Sequence, residues 1–124
     1  MKRIAAVAFL FALLTVPAFA YMSSGKIDGE PGWSFRDLSI NNNQVSVAIE
    51  NETDKAARFW GTLFFLDIHG KPVAQTYVFN SSFGPKTRKF FTQKLHFGDT
   101  KSAKEAFKLI WGDVTIEYQE DRTF

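Results

Sequence analysis

His69 and His96 are the only histidines in this 124-residue chain, and it has no cysteine. Metal sites and acid–base or nucleophilic catalysis draw heavily on these two residue types. Asp67 and His69 bracket a turn, but two weak ligands need distant partners to hold an ion. The simpler reading is an Asp that bonds the backbone of its own turn. His96 lies beside Lys94 on the outward parity of a β-like run, as a solvated residue. Ser81 and Ser82 sit in a loop with nothing tying them to either His, and no Gly-x-Ser-x-Gly elbow occurs. Glu50, Asp67, Asp99 and Asp113 offer no spacing that pairs two carboxylates for glycoside hydrolysis, and no glycine-rich phosphate loop is present. The chain therefore reads as non-enzymatic, with no metal and no cofactor.

What remains is surface chemistry. Lys86, Arg88, Lys89 and Lys94 cluster with Phe90 and Phe91 between them. That pattern reads either as a strip for an acidic polymer or as a charged edge strand that resists edge-to-edge pairing. A second group is aromatic. Phe64, Phe83 and Phe90 fall on outer parities or in a loop, and contiguous exposed aromatics mark binding surfaces. Trp60, Phe64 and Tyr77 are the candidate stacking platforms. The binding candidates are thus Trp60, Phe64, Tyr77, Phe83, Arg88 and Phe90.

The elements that would position them begin after an address. Lys2 and Arg3 precede an apolar run from Ile4 to Val16, Pro17 breaks it, and Ala18-Phe19-Ala20 offers the small residues a signal peptidase reads. Residues 1–20 are expected to be a signal peptide cleaved between Ala20 and Tyr21, and the run is too short to span a bilayer. No integral membrane segment is expected after its removal. The 15 basic residues, less Lys2 and Arg3, leave 13 against 13 acidic ones, so the exported chain is neutral. Neutrality argues against nucleic acid as a partner and favours the edge-strand reading of the lysines. Export without disulfides suits a bacterial periplasm, or secretion, with a core held by aromatics. Asn51-Glu52-Thr53 and Asn80-Ser81-Ser82 match the glycosylation acceptor pattern and read as chance matches on loops.

Residues 21–32 hold two Ser, three Gly and a Pro and read as a flexible lead-in. Short β-like runs follow: Trp33 to Ile40, Gln44 to Asn51, Arg58 to Ile68, Val73 to Asn80 and Arg88 to Phe97. Val45, Val47 and Ile49 alternate against Ser46 and Glu50. Arg58 to Ile68 is apolar on both faces, which implies a covered strand or one that meets a partner. Val73, Tyr77 and Phe79 are expected to face one way, and Phe91, Leu95 and Phe97 inward. Ser102 to Glu105 reads as a capping box opening a helical turn near 102–107. In Phe107 to Tyr118 the apolar phase flips at Gly112-Asp113, which predicts either a β-bulge or a two-residue hairpin. Residues 119–124 form a loose tail. The domain, 33–118, is expected to be all-β: an antiparallel two-sheet sandwich of six to seven strands, with a small closed barrel as the alternative.

Val47-Ala48-Ile49-Glu50-Asn51-Glu52-Thr53, then Leu63-Phe64-Phe65-Leu66-Asp67 with Gly70, then Gly84-Pro85-Lys86-Thr87 leading into Phe90-Phe91, resembles the FxLYD-type domains of bacterial exported proteins. The likeness covers Gln44 to Phe97. It implies an immunoglobulin-like sandwich with no catalytic residues to carry over. Function is then expected to be binding: a protein partner of the envelope first, a glycan or cell wall as the alternative.

Overall fold

The computed structural model describes residues 21–119, so the expected signal peptide with Ala20, and residues 120–124 of the expected tail, lie outside the described residues. Alternation of apolar and polar residues builds the strands. Gln44–Asn51 shows it most cleanly, with Val45, Val47 and Ile49 all buried. In order the elements are β1 (Gly25–Lys26), β2 (Trp33–Asn41), β3 (Gln44–Asn51), β4 (Ala57–Leu66) and β5 (Pro72–Phe83). β6 (Thr87–Lys94), helix α1 (Thr100–Lys104) and β7 (Lys108–Tyr118) complete them. Among the described residues these seven strands form two antiparallel sheets, ordered β1-β2-β3-β6 and β5-β4-β7. The chain is an all-β sandwich. No helix among the described residues is long and apolar enough to cross a membrane.

The core is a ring cluster drawn from both sheets. Trp33 stacks on Phe59 at 5.3 Å and meets Phe83 edge-on at 5.2 Å, while Phe59 meets Trp111 edge-on at 6.0 Å. Asn42 and Asn43, both at positive φ, make the two-residue turn joining β2 to β3, where Asn tolerates the left-handed conformation. Register shifts keep the apolar residues facing inward, among them one in β2, one in β7 and one in β5 between Val78 and Ser81. In β2 the register shifts between Arg36 and Ser39 around Asp37 at φ 56°, so Phe35 and Leu38 are both buried. In β7 the shift lies opposite Gly61, with Asp113 at φ 50°. Gly112-Asp113 is therefore a bulge within one strand and not a hairpin turn.

Four expectations are corrected. Residues 21–32 are not a free lead-in: Gly25 and Lys26 pair with Phe35 and Ser34, and Ile27 is buried. The Tyr21 hydroxyl donates to the Ala103 carbonyl at 2.8 Å, and burial pushes its pKa up. In β5 it is Ala74, Thr76 and Val78 that face inward, leaving Phe79 57% exposed. Facing sheets already filled by Trp33, Phe59, Phe83 and Trp111 have room for small side chains and not for a second aromatic row. β6 ends at Lys94, and Phe97 lies outside because the chain there leaves its own sheet. It bonds the free edge of β5 instead, the Gln75 N–H donating to the Phe97 carbonyl at 3.0 Å. Finally, α1 is capped by Asp99 and not Ser102: the Asp99 carboxylate accepts from the Ser102 N–H at 2.8 Å.

Candidate aromatic binding face

β4 is apolar on both parities, and the two sets go to different places. Phe59, Leu63 and Phe65 enter the core, while Trp60, Thr62 and Phe64 lie on the outer face of the three-stranded sheet. Register sets their neighbours. Thr62 sits between Tyr77 of β5 and Gly112 of β7, and Phe64 sits between Gln75 and Ile110. Gly112 leaves the space that the Phe64 ring occupies, since a Cβ there would lie 2.7 Å from Phe64 Cε2. Phe64 is accordingly half-buried against its own sheet.

On the β5 side of this face Tyr77 packs against His96 at 4.3 Å between ring centroids. Phe79 lies 6.1 Å from the same imidazole. The Gln75 side-chain amide donates to the Tyr77 hydroxyl at 3.1 Å, which holds the phenol's orientation. Between these rings and β7 lies an open depression of about 710 Å³, lined by Trp60, Thr62, Tyr77, Phe79, Asn80, Asp113 and Thr115 among others. The bulge brings Asp113 to its rim. Aromatic planes thus sit beside a carboxylate, an amide and two hydroxyls, a mixture that offers apolar contact and directed hydrogen bonds together.

The six candidates from the sequence divide. Trp60 and Tyr77 line the depression, and Phe64 lies on the same face beside it. Phe83 does not belong there. It is 1% exposed, because the β5 register slips between Val78 and Ser81, reverses the strand's parity and carries the ring back among Trp33, Phe59 and Phe91. Arg88 and Phe90 stand on the outer face of the other sheet, opposite Glu50 and Ala48. Phe79, Asn80, Asp113, Thr115 and His96 were not singled out from sequence as members of a site. For Asp113 the phase flip at Gly112-Asp113 is the sequence signal that could have found it.

The basic cluster is dispersed. Arg36 and Arg88 flank the Glu50 carboxylate at 3.3 and 3.7 Å. Lys86 donates to the Glu52 carbonyl at 2.6 Å and lies 3.6 Å from Asp54. Lys89 takes the inner parity and rests 5.5 Å over the Phe83 ring. β6 is an edge strand, and its lysines decorate that edge.

The motif segments serve the fold. Asn51 is fully buried: its side-chain amide donates to the Lys55 and Gly84 carbonyls, and its oxygen accepts from the Thr53 N–H and hydroxyl. Asp67 accepts from the Lys71 and His69 N–H groups, at 2.9 and 2.8 Å, and these backbone bonds hold its carboxyl below the usual range. It closes its own turn. Among the described residues no group of three or more His, Cys, Asp or Glu side chains could hold a metal ion. No family model, curated protein or solved structure matches the chain.

Proposed function

We propose that this chain is an exported, non-enzymatic binding module and that its aromatic outer face takes a sugar ring. A pyranose has a C–H face that covers an aromatic plane and a rim of hydroxyls that needs donors and acceptors. Trp60, Tyr77 and Phe79 supply the first, and Asp113, Asn80 and Thr115 the second, around one depression. That juxtaposition carries the proposal. The sequence alone put a protein partner first. Half-buried rings around a polar-rimmed hollow suit a sugar better than a broad apolar contact would.

A protein of the bacterial envelope is the second reading, favoured by the exposed Phe79 and Phe97 along the outer edge of β5. Export rests on the leader pattern of residues 1–20, and likeness to FxLYD-type domains on the three motif segments. Calorimetric titration with soluble plant, fungal and bacterial-wall oligosaccharides tests the sugar reading. Binding that weakens at least about tenfold in Trp60→Ala, equivalent to about 1.4 kcal/mol, and is unchanged in Phe90→Ala, is the expected result. Retained affinity in Trp60→Ala, or no binding to any member of the panel, would remove it.

A further inference from the structure

Among the described residues the eleven-residue β7 pairs only with β4, so the backbone groups that point to its other edge have no strand partner. The β6 edge is guarded by same-sign charges, and part of the β5 edge is occupied by residues 96–97. The charges on β7 follow a different plan: Lys108 stands near one end and Glu117 near the other, both exposed. Phe107 just before it and Tyr118 at its end are 52% and 44% exposed.

We propose that β7 pairs antiparallel with β7 of a second copy about a two-fold axis between Gly112 and Asp113. This register sets Lys108 against Glu117 and the exposed Phe107 against the exposed Tyr118, each pair made twice by symmetry. It also sets Leu109 against Ile116 and Trp111 against Val114, which share the inner face. Directly opposed residues in an antiparallel pair must point to the same side of the sheet. A regular strand pairing with itself could not meet that rule in this register, because residues 108 and 117 differ in parity. The bulge at Asp113 reverses the parity at the axis and makes the two halves of β7 complementary to each other.

The dimer would join two three-stranded sheets into one of six strands. The two depressions would then share a single face near the axis, each with Asp113 and Thr115 on its β7 rim. Where the sugar reading holds, a chain of sugars could engage both at once and gain by effective concentration. The pairing itself does not depend on that reading.

Sedimentation equilibrium of the folded protein from about 1 µM to about 1 mM, a range that brackets weak strand-mediated association, tests it. The expected result is a dimer whose dissociation constant rises about tenfold in Lys108→Glu and in Glu117→Lys, since like charges then face each other. In the double reversal it returns close to the wild-type value. Both side chains are exposed, and circular dichroism checks that each variant stays folded. A monomer across the whole range overturns the proposal, and so does a dimer indifferent to the single reversals or one the double reversal does not rescue.

Discussion

The two sheets of this sandwich share a core, yet their outer faces were built to different rules. On the four-stranded sheet Glu50 lies between Arg36 and Arg88, and further along β3 Ser46 and Thr92 of β6 share a hydrogen bond at 3.1 Å. Phe90 is the apolar exception there, 71% exposed beside the fully buried Ala48. Ion pairs and a cross-strand hydrogen bond dominate that face, although the Ser34 hydroxyl beside Glu50 finds no hydrogen-bond partner. On the three-stranded sheet Trp60, Phe64, Tyr77 and Phe79 occupy outer positions, and a depression opens across all three strands. Large rings held half-buried at an outer face, with polar groups at the rim, are poorly explained by the stability of the isolated chain. They are well explained by a ligand.

The largest expected effect separates core from face. Phe83→Ala should cost about 3–5 kcal/mol, because the ring fills space among Trp33, Phe59 and Phe91. Phe90→Ala, at a ring 71% exposed on the charged face, should change stability by about 0.5 kcal/mol or less. Urea denaturation of both variants checks this, and comparable losses would mean that Phe90 is packed and the two faces are less distinct. Next comes Asn51→Ala, expected to cost about 2–3 kcal/mol. It strands the Lys55 and Gly84 carbonyls that tie the end of β3 to the far end of β5. A loss under about 1 kcal/mol would show that water replaces those bonds freely.

A smaller effect is expected at the charged face. Glu50→Gln removes two ion pairs to half-exposed arginines and should cost about 1 kcal/mol or less, shrinking further in high salt. A larger, salt-insensitive loss would make that face structural rather than merely solvated. The smallest concerns acid. The carboxyl of Asp67 is held below its usual range by backbone bonds from Lys71 and His69, and that of Asp99 by bonds from Ser102. A depressed folded value gives stability that is present above the unfolded pKa of about 3.9 and lost as pH falls through the folded one. Denaturation midpoints should therefore fall below about pH 4. The fall should be shallower in Asp67→Ala than in the wild type, whereas parallel acid limbs would contradict the assignment.

Much of the fold was legible because its signals are local. The alternation of Val45, Val47 and Ile49 gave β3, and Asn42-Asn43 gave the turn before it. The change of phase between Leu109 or Trp111 and Val114 or Ile116 marks a bulge or a hairpin at Gly112-Asp113, and pairing with β4 on both sides makes it the bulge. A similar change between Phe35 and Leu38 marks the one in β2. What failed was decided at a distance. The aromatics of β5 are expected inward, but the rings of Trp33, Phe59, Phe83 and Trp111, drawn from both sheets, leave room there only for Ala74, Thr76 and Val78. Residues 21–32 looked tether-like because single anchors such as Ile27 and Tyr21 carry no periodicity. Trp60 and Tyr77 could be picked from residue type and strand context. Asn80, Asp113 and Thr115 join them only through cross-strand register, which no short window of sequence contains.

The central claim is that the aromatic outer face of β5-β4-β7 is the working surface. Amide chemical-shift mapping during titration with the best-binding oligosaccharide tests it most directly. Shifts gathered around Trp60, Tyr77, Phe79, Asp113 and Thr115, with Arg88 and Phe90 silent, are the expected result. Shifts centred on the Arg36–Glu50–Arg88 face, with Trp60 unmoved, would contradict it.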